Sequence, residues 1–84
     1  MKMEVFEYNI CSKRQGGNAV AGTNDLEYAS DMAYNVANTE HCDVDVINAF
    51  TGEVHLSLVC YVHIIYNDEL EELERTYEVK EREW

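Results

Sequence analysis

The hydrophobic period of the chain changes twice between Met3 and Tyr66, and each change predicts an element. From Met3 to Cys11, Phe6, Tyr8 and Ile10 alternate with Glu7 and Asn9, the period of two that buries one face of a strand. The alternation breaks at Val5, ahead of which the strand should fray. Ser12–Asn24 has no period, holds Gly16, Gly17 and Gly22, and is expected to be a loop. From Asp25 to Thr39 the spacing becomes three and four. Leu26, Ala29, Met32, Ala33, Val36 and Ala37 form one stripe of an amphipathic helix. The small alanines predict close approach to a sheet. Asn24 suits the N-cap, with Glu27 three residues on completing a capping-box-like pair.

The period of two then returns in two runs joined by Thr51-Gly52-Glu53, a hairpin in which glycine supplies a positive φ. In the first run Cys42, Val44 and Val46 share one face, Asp43 and Asp45 the other. In the second, Leu56, Leu58, Cys60, Val62, Ile64 and Tyr66 form the expected core face. The opposite face, His55, Ser57, Val59, Tyr61, His63 and Ile65, is half apolar and calls for cover by the C-terminal segment or by a second copy. Thirteen residues, Val54 to Tyr66, exceed the usual strand, which favours a bulge or an extension into a partner sheet.

Asn67–Trp84 reads two ways. As a helix it has Asp68 at the N-cap, Leu70, Leu73, Tyr77 and Trp84 near one face, and Glu71–Arg75 and Glu78–Arg82 pairs. As a strand, Leu73, Arg75, Tyr77 and Val79 share one face, and Thr76, Tyr77 and Val79 favour β structure. The strand is preferred for Arg75–Lys80, with Asp68–Glu72 as its loop. The expected fold is α+β, one domain over residues 1–84. An antiparallel sheet of three or four strands in β-α-β-β order, the C-terminal segment adding a strand or helix, carries one amphipathic helix on one face.

Charge sharpens this picture. The 84 residues include 17 acidic and 6 basic ones, a formal charge of −11, and Gln15–Glu74 contains no Lys or Arg. Such an excess disfavours direct binding to nucleic acid or an anionic membrane and favours a basic partner. Three cysteines, Cys11, Cys42 and Cys60, without a CxxC pair or signal-like start, point to the reducing cytoplasm. No apolar run approaches a membrane span.

Little chemistry is legible. Gly17 and Gly22 have GxxxxG spacing, but Thr23 stands where a phosphate-binding loop places its lysine. The Lys13–Thr23 stretch can still cradle a nucleotide or other anion, with Lys13 and Arg14 as counter-charges; the plainer reading is a flexible connection. His55 and His63 share a strand face but lie about 26 Å apart, and Cys60 and His63 face opposite ways, so neither pair chelates a metal. Cys42 and His41 are adjacent and face apart, so no nucleophile–base pair emerges. Neither enzyme activity nor a cofactor or metal is expected.

What remains is acidic recognition. Its candidate residues are Asp25, Glu27, Tyr28, Asp31 and Tyr34 on the helix, Asp43 and Asp45 on the sheet, and Glu69, Glu71, Glu72 and Glu74 near the C-terminus. Tyrosine beside carboxylate suits an interface; the alternatives are a solvated acidic surface and tyrosines that cover sheet edges. A homodimer through Val59, Tyr61 and Ile65 is a further expectation. In length, acidic excess, strand–helix–hairpin plan and negative stretches the chain resembles the small acidic proteins that phages encode against host defences, including anti-CRISPR proteins and DNA mimics. That resemblance implies an inhibitor acting in the host cytoplasm, its carboxylates standing where phosphates would bind a nucleic-acid-binding protein.

Overall fold

The computed structural model of the chain describes residues 6–82. Strands β1 (Tyr8–Ser12), β2 (Asn18–Thr23), β3 (Val44–Asn48), β4 (Val54–Asn67) and β5 (Glu72–Glu81) form one antiparallel sheet in the order β2-β1-β3-β4-β5. One helix, α1 (Leu26–Glu40), packs on one face. The class is the expected α+β; the strand number is five rather than three or four.

The added strand is β2, inside the stretch expected to be a loop. Lys13–Gln15 makes a single 3-10 turn, and Gly16 and Gly17, both at positive φ, reverse the chain so that it pairs back on β1. The sequence of β2, Asn-Ala-Val-Ala-Gly-Thr, has no clean alternation because it is a largely exposed edge strand held by its backbone ladder. At Gly22 the backbone passes under Phe6: a Cβ there would stand 2.7 Å from the ring.

The helix follows the expected stripe except at Leu26, in its first turn, which is exposed. Ala29, Ala33 and Ala37 are fully buried and share one cluster with Ile10, Val44, Val46, Leu56 and Leu58. The cap is corrected by one residue. Asp25, not Asn24, is the N-cap, its carboxylate accepting from the Glu27 and Tyr28 amides at 3.0 and 3.3 Å. Asn24 instead accepts the Glu7 amide at 2.9 Å, so the Asn24–Glu27 capping box does not form.

The C-terminal segment is a strand. β5 pairs continuously with β4 from Leu58↔Glu81 to Asn67↔Glu72. The expected bulge lies at the start of β4, where Val46 pairs with Leu56 but Ile47 with Val54, which leaves His55 as the extra residue. The length of β4 serves two neighbours in turn: Val54–Leu58 pairs with β3, and Leu58–Asn67 with β5.

This stagger overturns half of the expected core face. Leu56 and Leu58 are buried and Cys60 half-buried, whereas Val62, Ile64 and Tyr66 are exposed. Lengths explain it. The helix spans about 22 Å and 14-residue β4 about 46 Å. The helix ends at the base of the β4–β5 ribbon, where His41 stacks on Tyr77 at 3.7 Å, and the rest of the ribbon projects as an uncovered arm. Met3–Val5 and Trp84, which belong to the expected first strand and the helical reading, lie outside the described residues.

Candidate functional site

Burial of the alanine stripe turns the other side of α1 outward. Glu27, Tyr28, Asp31 and Tyr34 are all exposed there. Glu27 and Asp31 stand one turn apart, and neither joins any ion pair among the described residues. Asp25 faces inward electrically: its carboxylate occupies the helix N-terminus. An anion approaching that terminus meets a negative group already hydrogen-bonded to the amides it would need. With residues 18–23 in a strand, the turn that carries Lys13, Arg14, Gly16 and Gly17 does not lead directly into the helix N-terminus.

Asp43 and Asp45 are not a free negative row. Asp43 accepts the Cys60 amide at 2.9 Å, capping the ladder where β3 ends. Asp45 accepts from the Ser57 hydroxyl at 2.6 Å and lies 3.7 Å from the Lys13 ammonium. Ser57 is buried and also receives Arg82, its hydroxyl accepting from Nε at 3.2 Å and its carbonyl from the Arg82 amide at 2.7 Å. Sequence reasoning missed Ser57. The available signal was a hydroxyl inside an apolar run, in register with the aspartate across the hairpin.

The remaining carboxylates gather at the arm tip. Asn67 organises the turn, accepting the amides of Glu69 and Leu70 and donating to Glu74 at 3.1 Å. Glu71 holds a positive φ of 51°, and Glu69, Glu71, Glu72 and Glu74 are exposed. The helix begins at the sheet end marked by Tyr8, Thr23 and Asn48 and ends at the Ser12, Val44 and Leu58 end, from which the arm departs. The exposed carboxylates of the helix, Glu27 and Asp31, and those of the arm tip are therefore separated along the molecule, with Asp43, Asp45, Glu78 and Glu81 between them.

The sheet face without a helix has mixed charge. Val59, Tyr61 and His63, with Glu78, Lys80, Glu81 and Arg82, line a shallow cleft of about 570 Å³. His63 lies 3.1 Å from Glu78, and Lys80 3.5 Å from the same carboxylate. The His63 hydrogen bond, helped by Lys80 and opposed by desolvation, holds the Glu78 carboxyl below its ordinary range. Val59, Tyr61 and Ile65, the expected dimer residues, lie on this face opposite Lys80, Glu78 and Glu74.

The three cysteines are free and half-buried. Cys42 turns to the Ser12 hydroxyl at 3.2 Å and the Glu40 carboxylate at 3.8 Å, while His41 turns away to Tyr77. Burial, then Asp45, pushes the Cys11 thiol pKa up, partly offset by Lys13; burial, then Asp43 and Cys42, raises that of Cys60. Among the described residues no three His, Cys, Asp or Glu side chains converge on one point, and no helix is long and apolar enough to cross a membrane. No protein-family model, curated protein or solved structure matches this chain.

Proposed function

We propose that this chain is a small acidic interaction protein, an inhibitor of the anti-CRISPR or DNA-mimic type, that binds the basic surface of a nucleic-acid-binding protein in a host cell. The observation that carries the reading is the outer face of α1, where exposed Glu27 and Asp31 join no ion pair among the described residues and sit among exposed Tyr28 and Tyr34. A Lys/Arg-rich groove would neutralise the carboxylates, while the tyrosines would contribute area with few rotors to order. The arm-tip carboxylates extend the negative field and steer encounter. Asp43 and Asp45, tied into the sheet, serve folding, so their reversal would unfold rather than map the interface.

The test is a pull-down of tagged protein from host lysate at about 0.1 M salt and again at about 0.5 M, where the Debye length is roughly halved. A nucleic-acid-binding protein retained at low salt, released at high salt, and lost with the Glu27→Lys/Asp31→Lys double variant is the expected result. Undiminished capture by that folded double variant would remove the helix face from the interface. An empty pull-down from a lysate containing such proteins would refute the reading.

A further inference from the structure

The geometry points to a second copy of this chain as the occupant of the open edge of the arm, with Val62, Ile64 and Tyr66 of β4 pairing antiparallel with the same residues of the other copy. β3 pairs with β4 only as far as Leu58, and Asp43 caps the next outward amide, that of Cys60. Along an antiparallel strand successive residues direct their N–H and C=O groups to alternate sides. The Cys60 amide points to the β3 side and the Ser57 carbonyl to β5. Val62, Ile64 and Tyr66 therefore present donors and acceptors to the β3 side, along which no strand lies beyond Leu58 among the described residues.

That edge is self-complementary. A two-fold axis normal to the sheet at Ile64 sets Ile64 against Ile64 and Val62 against Tyr66. All of these are outward-bonding residues, so each facing pair exchanges both bonds. The same operation keeps both helices on one side and joins the two exposed faces, on each of which Val62, Ile64, Tyr66 and Leu73 surround Arg75.

Two further observations select a second copy rather than a basic partner. Val54–Tyr66 contains no Asp, Glu, Lys or Arg, so the paired stretch itself carries no charge, and like charges meet only where Asp68 of each arm tip comes beside Asp43 of the other copy. The edge Tyr-Val-His-Ile-Ile-Tyr has none of the lysines, prolines or bulges that normally blunt an exposed strand. A two-stranded ribbon is also marginal in water, and pairing makes it a four-stranded sheet.

The experiment is sedimentation equilibrium of the full chain from micromolar to millimolar concentration, with amide hydrogen exchange at both extremes. A reversible dimer is expected. The Val62, Ile64 and Tyr66 amides should gain protection with concentration, while those of Tyr61, His63 and Ile65, bonded to β5, should stay protected throughout. Ile64→Pro removes a donor that only the partner uses and should weaken association by at least about tenfold, because the two-fold repeats the loss in both chains. Val62→Lys, which restores a charged edge, should do the same in a chain that folds normally. Added salt should strengthen the dimer by screening like charge, the reverse of its effect on a basic partner, so the two readings fail separately. A monomer up to millimolar concentration would overturn the inference. So would a dimer indifferent to both edge variants but broken by Tyr61→Glu, which would put the contact on the helix-free face.

Discussion

Leu58→Ala and Ile64→Ala change the same face of the same strand, six residues apart, yet the structure assigns them different costs. Leu58 is fully buried in the cluster beneath the helix, flanked by Val44 on β3 and Glu81 on β5. Its truncation removes buried carbons and leaves a cavity between elements that cannot collapse freely, at about 3 kcal/mol. Ile64 is 60% exposed. Full burial of such a side chain stabilises by about 1.5–3 kcal/mol, so two-fifths of that gives about 1 kcal/mol or less. An 84-residue domain has a total of roughly 4–12 kcal/mol to lose, so the first change alone is a large fraction. The assay is urea unfolding followed by circular dichroism, at concentrations low enough that the midpoint no longer depends on protein concentration. With a slope near 1 kcal/mol per molar, Leu58→Ala should lower the midpoint by roughly 2–3 M and Ile64→Ala by under about 1 M. Equal shifts would refute the uncovered arm, since they would mean that the helix, or another part of the chain, protects Ile64 as it protects Leu58.

Three other outcomes follow from particular contacts. Asp25→Ala should cost about 1 kcal/mol by uncapping α1, and Asn24→Ala about half that or less, since its partner amide is exposed; thermal unfolding distinguishes the two. Ala33→Leu should destabilise by about 1–3 kcal/mol in urea, because Ala33 is fully enclosed between helix and sheet. In a carboxyl titration by NMR, Glu78 should titrate below the ordinary glutamate range and move back up in His63→Ala. Because its folded pKa is lowered, the stability it contributes is present above the unfolded value and is lost as pH falls through the folded one.

The elements that were legible are those whose signal is local. The helix over Leu26–Glu40 declared itself through its alanine stripe, and the hairpin through two period-two runs around Gly52, whose φ is +75°. Strand β5 was legible only in part, since its charges pair as well at helical spacing; the free side of β4 decided for the strand by offering a ladder along Leu58–Asn67. Strand β2 was not legible, because in this short edge strand only Ala21 packs against the core, which is too little to write an alternation.

The candidate site divides in the same way. The amino-acid sequence by itself determined the charge excess, the outward set Glu27, Tyr28, Asp31 and Tyr34, and the uncharged run Val54–Tyr66, because these depend only on composition and on one element's period. Only the tertiary structure decided that Asp43 and Asp45 are consumed within the sheet, that the exposed carboxylates of the helix and those of the arm tip are separated along the molecule, and that Val62, Ile64 and Tyr66 face solvent although they continue the core face of Leu56 and Leu58. The physical reason is reach. A side-chain period says which residues share a face, but whether that face is covered depends on the length and placement of another element, and a 15-residue helix cannot cover a strand twice as long as itself.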